Sequence, residues 1–140
     1  AWLRAYMTPT IEGRGINRRP WRNWAKAATA KQTHPELLRA WFAAPHTIAI
    51  PGGESLNDVR DRVTRGLHAL ANRHHGQAVA MVGHTVVNRV LLCAVLGLGN
   101  DRFWRLRQDT CAVNVFDVDQ NDDATIVVLN DTCHLQDLRD

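Results

Sequence analysis

Cysteine is scarce in this chain: Cys93, Cys111 and Cys133 are the only three among 140 residues. They form no C-x-x-C pair, and the histidines show no H-x-x-x-H spacing. A disulfide scaffold and a zinc site are therefore not expected, and no metal or other cofactor is called for. His74 and His75 are neighbours, but adjacent residues on a helix face different ways and make a poor ligand pair. An odd number of cysteines suits a reducing cytoplasm, which is the expected location. Long apolar runs are missing too. The longest, near residues 79–82 and 90–98, fall far short of the roughly 20 residues of a membrane span, so no membrane partner is expected. No charged-then-apolar leader is visible. The first residue is Ala1 rather than Met, and further residues upstream are expected. Repeats and low-complexity stretches are absent.

What is present suits one compact domain. Apolar residues make up 45% of the chain, enough to build a core, and its length fits a single domain spanning 1–140. The net charge is +3, with early positive charge at Arg14, Arg18, Arg19, Arg22, Lys26 and Lys31 around Trp21 and Trp24. Basic residues among aromatics can mark a nucleic-acid surface. No recognised nucleic-acid motif accompanies them, so the expectation is a solvated helix face, and nucleic acid is not the expected partner. An anionic small substrate would use the same charge.

Along the chain, residues 3–11 read as a weak helix interrupted by Pro9, 13–20 as a basic loop, and 24–32 as an Ala-rich helix. Pro35 opens a short helix over 36–42. The clearest helix follows: Leu56, Val59, Val63, Leu67 and Leu70 recur at three- and four-residue steps and make one apolar stripe. Ser55 is its N-cap, with Asp58 as capping-box partner, and Gly76 its stop. Residues 78–82 are a continuous apolar run, which predicts a strand buried on both faces. Residues 86–96 are a second apolar helix. Residues 101–104 read as a short helical turn, and 113–118 with 125–129 as a hairpin. The strand–turn–helix over 78–96 is a βα unit of an α/β sheet.

In such sheets ligands sit beyond the C-terminal strand ends. Gly83, His84 and Thr85 occupy that position. The helix start offers free N–H groups and a partial positive charge to an anion. Gly83 allows a sharp turn and close ligand approach. His84 could donate hydrogen bonds to a phosphoryl oxygen. On position alone, His84 serves equally well as a structural helix cap.

Several segments carry a resemblance. Pro51-Gly52-Gly53-Glu54-Ser55-Leu56 with Val59-Arg60-Asp61-Arg62-Val63 resembles the "PGGES…VxxRV" stretch of the histidine phosphatase (phosphoglycerate-mutase-like) superfamily. Val82-Gly83-His84 resembles its "V(S/G)H" strand end. Asn114-Val115 is similar to its late strand, and Asn130-Asp131-Thr132-Cys133-His134-Leu135 to its "LNDxxHL" ending. Leu3-Arg4-Ala5-Tyr6-Met7-Thr8 resembles the "LxRAxQT" helix, and His34-Pro35-Glu36 with Trp41 and Pro45 a structural helix. The resemblance implies a three-layer α/β/α phosphoglycerate-mutase-like fold and phosphomonoester hydrolysis of a small phosphorylated metabolite through phosphohistidine. It implies that Arg4 and His84 bind the phosphate, that His84 is catalytic, and that Glu54, Gly83 and Thr85 are pocket residues.

One motif of that family has no counterpart. Its members begin with a central strand ending in Arg-His-Gly, whose His attacks phosphorus. No Arg-His-Gly triplet occurs in these 140 residues. Glu12, the only carboxylate between Thr8 and His34, does not match the context of the family's usual general acid. The chain therefore reads as a domain truncated at its N-terminus. An inactive phosphate-binding or interaction domain is the alternative function. Loss of the first strand is expected to leave residues 79–82 with an unpaired edge, which a homodimer could cover.

Overall fold

A computed structural model of the chain describes residues 3–9 and 33–138. The basic loop and Ala-rich helix expected over 10–32, together with Glu12, lie outside the described residues.

The first described element corrects an expectation. Residues Leu3–Pro9 form a strand, β1, rather than a helix. Leu3, Ala5 and Met7 are buried while Arg4 and Tyr6 are exposed, a period of two that only a strand satisfies. Helix α1 spans Pro35–Ala43, with proline in its first turn, and α2 spans Leu56–Arg73. Strand β2 (Ala78–Gly83) and helix α3 (Thr85–Val95) follow. After a 3₁₀ turn at Asn100–Arg105 come β3 (Val113–Val118) and β4 (Ala124–Asp131). The sheet order is β2-β1-β3-β4. β1 runs parallel to β2 and antiparallel to β3, and β3–β4 is the expected hairpin. The chain is thus a mixed α/β fold.

The second helix starts as its sequence predicts. Ser55 Oγ accepts the Asp58 N–H at 3.2 Å, and the Ser55 N–H donates to Asp58 Oδ2 at 2.9 Å, closing a capping box. The Ser55 hydroxyl, which donates to Asp58 Oδ2 at 2.7 Å, and then the Ser55 N–H hold the Asp58 carboxyl below its ordinary range. The cap is intact above that ordinary range and weakens as acid protonates Asp58. The helix ends at His74, and Gly76 supplies the left-handed residue of the turn into β2 (φ 70°).

Two apolar clusters hold the layers together. One joins Leu3, Ala5 and Met7 of β1 with Leu67 and Ala71 of α2, Leu91 and Leu92 of α3, and Phe116 and Val118 of β3. The other gathers Trp41, Ile50, Leu56, Val59, Val90 and Phe103, with Val86 and Val87 packed against it. Both lie on the helical side of the sheet. The opposite face shows Tyr6, Val82, Val127 and Leu129 to solvent, and among the described residues no helix covers it. The second helical layer of the expected three is therefore not among these residues.

That one-sided cover explains a second correction. Strand β2 is not buried on both faces. Its residues alternate between exposed and half-buried, and Val82 is 64% exposed. β2 has β1 on one side and, among the described residues, nothing on the other. An edge strand covered on one face is left with half its apolar side chains in water. Among the described residues β1 stands beside β2 and between it and β3.

Candidate functional site

The parallel pair β1–β2 sets the location. Their C-terminal ends are level, with Pro9 opposite Gly83 in the register. His84 comes next, in extended conformation (φ −102°, ψ 155°), as the N-cap of α3. Its carbonyl accepts the Asn88 N–H at 2.8 Å, the first bond of the helix. Its side chain makes no capping hydrogen bond. Of the two roles open to His84, helix cap and anion ligand, the first is therefore not the one its imidazole performs. Thr85 is the first helical residue, so its N–H is one of the first-turn donors that no carbonyl in the helix can satisfy.

Gly83 also meets a neighbour that its sequence position did not reveal. Its φ is not in the left-handed region that favours glycine. A Cβ at residue 83 would instead collide with the carboxamide oxygen of Asn88.

Glu54 lies in the loop before α2. Leu56 and Val59 from the start of α2 share a cluster with Val86 and Val87 from the start of α3, so the Glu54 loop and the Gly83–His84 turn flank the same apolar knot. Both Glu54 carboxylate oxygens accept from Arg62, Oε1 from Nε and Oε2 from Nη2, each at 2.9 Å. This forked ion pair anchors the loop to α2 and occupies both oxygens.

Arg4 does not join this group. It begins β1, opposite Ala78 and Asp117. Pro9 is five residues further along the strand, roughly 16 Å at about 3.3 Å per residue. Its guanidinium is engaged bidentately by Asp117, Nε to Oδ1 at 2.7 Å and Nη2 to Oδ2 at 2.8 Å. The pair raises the Arg4 pKa and holds the Asp117 carboxyl below the usual range. The resemblance that gave Arg4 to the phosphate is to a helix, and here the segment is a strand with Arg4 paired to Asp117. Arg4→Ala is expected to leave orthophosphate affinity unchanged and Tm nearly so, because the pair is solvent-screened. Calorimetric titration beside a thermal melt checks both.

The sequence left unrecognised a buried polar network at the same end of the sheet. Asn114 is fully buried and pairs with Met7 in the β1–β3 register. Its Nδ2 donates to the Met7 carbonyl (3.2 Å) and to Gln108 Oε1 (3.0 Å). Its Oδ1 accepts from Gln108 Nε2 (2.9 Å) and the Asn130 N–H (2.8 Å). Asn130, at φ 54°, extends the network to Asp109 by donating Nδ2 to Oδ2 at 3.0 Å and accepting the Asp109 N–H at 2.8 Å. The network ties the end of β1 to β3, β4 and the segment before β3. Its signal in the sequence is one Asn between Val113 and Val115, where an apolar strand has no other reason for an amide. Among the described residues no three His, Cys, Asp or Glu side chains are grouped so as to hold a metal ion.

Comparison with known proteins adds to this geometry. The profile of the histidine phosphatase superfamily (branch 1) matches residues 8–132. Phosphoserine phosphatase 1 of Hydrogenobacter thermophilus is 38% identical over 104 residues, covering 74% of this chain and 49% of that protein. Phosphoglycerate mutase-like protein 4 of Arabidopsis thaliana is 30% identical over 117 residues, covering 77% and 46%. The chain thus spans about half the length of these relatives. Among solved structures, YhfR of Bacillus stearothermophilus superposes with a TM-score of 0.79 at 21% identity, covering 93% of this chain and 75% of that one. The α-ribazole phosphatase of Shigella flexneri gives 0.61 at 26% identity, covering 74% and 51%.

Proposed function

The chain belongs to the histidine phosphatase superfamily, and from that premise we propose that it is the phosphate-holding part of a phosphomonoester hydrolase. The observation that carries this reading is His84: its side chain makes no capping bond, and it stands where two parallel strands end and a helix begins. There the imidazole and the first-turn N–H groups can donate to phosphoryl oxygens and stabilise the charge that spreads over them in transfer.

The reaction is in-line transfer. A histidine nitrogen forms the N–P bond as the P–O bond to the leaving alkoxide breaks, and the alkoxide takes up a proton. Water then cleaves N–P, releasing orthophosphate and the free histidine. The attacking histidine is not in these 140 residues. The strand beside β2 ends in Met7-Thr8-Pro9 and contains no His. His84 then supports the phosphoryl group while another histidine attacks. The substrate is a small phosphorylated metabolite, and O-phosphoserine is the first to try, given the name of the H. thermophilus relative.

The test is p-nitrophenyl phosphate turnover together with acid-labile phosphate labelling. The chain as it stands is expected to bind orthophosphate, to form no phosphohistidine and to turn over at the buffer rate. A longer form carrying an Arg-His-Gly strand is expected to turn over and to lose activity on His84→Ala. Phosphohistidine on the 140-residue chain would overturn the placement of the nucleophile.

The absence of Arg-His-Gly favours a second reading, a phosphate-binding or interaction domain without chemistry. Orthophosphate binding with no turnover in any natural form of the protein selects it.

A further inference from the structure

One buried polar group at the strand–helix junction is left without a partner by everything described above. Asn88 lies in the first turn of α3 and is only 2% exposed. Its backbone N–H is used, bonding to the His84 carbonyl. Its side-chain Nδ2 has no hydrogen-bond partner among the described residues. Its Oδ1 stands against Gly83, in the space a side chain at residue 83 would need. A buried amide donor with no acceptor costs free energy, and an Asn left so among the described residues calls for a physical reason.

We propose that Asn88 is a positioning residue for His84 and that Asn88 and Gly83 act as one unit. The carboxamide folds back over the end of β2 and fills the room above Gly83. Asn88 thereby holds the backbone on both sides of His84: its carboxamide lies over Gly83, and its backbone N–H bonds the His84 carbonyl at 2.8 Å. His84 has no side-chain bond to the helix start to hold its imidazole. Its backbone therefore bears on the orientation of its half-buried ring, and Asn88 packs on that backbone. The unused Nδ2 follows from this arrangement: with Oδ1 turned to Gly83, the donor meets no acceptor among the described residues. The inference rests on His84 being the phosphate ligand, and it deepens that reading by naming what orients it.

A double-mutant cycle tests it, with Gly83→Ala, Asn88→Ala and the two combined. Three readouts are taken on the 140-residue chain: orthophosphate affinity by calorimetry, the pH titration of the His84 ring by ¹⁵N NMR, and Tm. Gly83→Ala, which forces Asn88 aside, is expected to weaken orthophosphate about tenfold and to displace the His84 titration curve. Asn88→Ala is expected to weaken binding by a similar factor. The double variant should resemble Asn88→Ala alone, because the collision is gone. Asn88→Asp keeps the shape and should retain most of the alignment, read as ring shifts close to those of the parent chain.

Independent effects that multiply, or an Asn88→Ala chain whose His84 titration and orthophosphate affinity match the parent, would overturn the proposal. A uniform fall in Tm with an undisturbed His84 curve would also overturn it, since that is the signature of a merely structural Asn. If the parent chain shows no orthophosphate affinity, the assignment of His84 as phosphate ligand fails. The NMR titration still reads the coupling between residues 83, 84 and 88, so the two failures are distinguishable.

Discussion

Replacing His84 by alanine is expected to weaken orthophosphate binding by about tenfold to a hundredfold, the loss of one charge-assisted hydrogen bond worth about 1.5–3 kcal/mol. Tm should barely move. The reason for the separation is structural. His84 is an N-cap by backbone position only, its side chain makes no bond to the first turn, and its carbonyl, which alanine keeps, accepts the first helical hydrogen bond. Alanine therefore removes the imidazole without removing a cap, and the usual cost of about 1 kcal/mol for deleting a capping side chain does not arise. His84→Gln, which keeps a neutral donor of similar reach, should fall between the two. Calorimetric titration with orthophosphate beside a thermal melt measures both quantities. Unchanged affinity in His84→Ala would remove the residue from the site. A large fall in Tm with lost binding would mean that the imidazole is structural after all.

The second large effect is on stability. Asn114→Ala is expected to cost about 3–5 kcal/mol, because four hydrogen bonds converge on one fully buried amide. Removing it takes a partner from the Met7 carbonyl, Gln108 Oε1 and the Asn130 N–H, while Gln108 Nε2 keeps the Arg107 carbonyl. Each buried group left unsatisfied costs about 1–3 kcal/mol, and the low surrounding dielectric makes the network worth more than one pair. At this chain length the loss should lower Tm by more than about 10 °C. Asn114→Asp keeps the acceptor for Asn130 and loses donation to Met7, so it should be milder if the carboxyl stays protonated and worse once it ionises in the interior. Urea unfolding followed by tryptophan fluorescence gives the number, and a loss below about 1 kcal/mol would show that the network is not what holds the end of β1. Because Met7 lies two residues before Pro9, which is level with Gly83, loosening this network should also disturb the turn carrying His84.

Local patterns were legible where one element decides its own fate. The stripe of Leu56, Val59, Val63, Leu67 and Leu70 specifies α2 because helical spacing is local. The Ser55–Asp58 box specifies where α2 begins, and Gly76 where it ends, for the same reason. The strand end and helix start at Gly83-His84 were legible because they are features of neighbouring residues. The family could be read from ordered motifs such as Pro51-Gly52-Gly53-Glu54-Ser55.

Other features depended on residues far apart in sequence. Leu3–Pro9 has a pattern short enough for helix or strand. It became a strand because β2 and β3, some 70 and 110 residues later, supply its hydrogen bonds. Arg4 followed from that, since a strand sends it to Asp117 rather than toward His84. An apolar run at 78–82 states a preference for burial but not how many faces are covered, and here one face is open. By itself, then, the sequence determined helices α1 to α3, the cap at Ser55, the family and the place of His84 between β2 and α3. Tertiary structure alone decided that β1 stands beside β2, that Gly83 yields its space to Asn88, and that Asn114 gathers the strand ends. The physical reason is that propensity and capping act within a few residues, whereas strand pairing and the satisfaction of buried polar groups depend on partners that only the folded chain brings together.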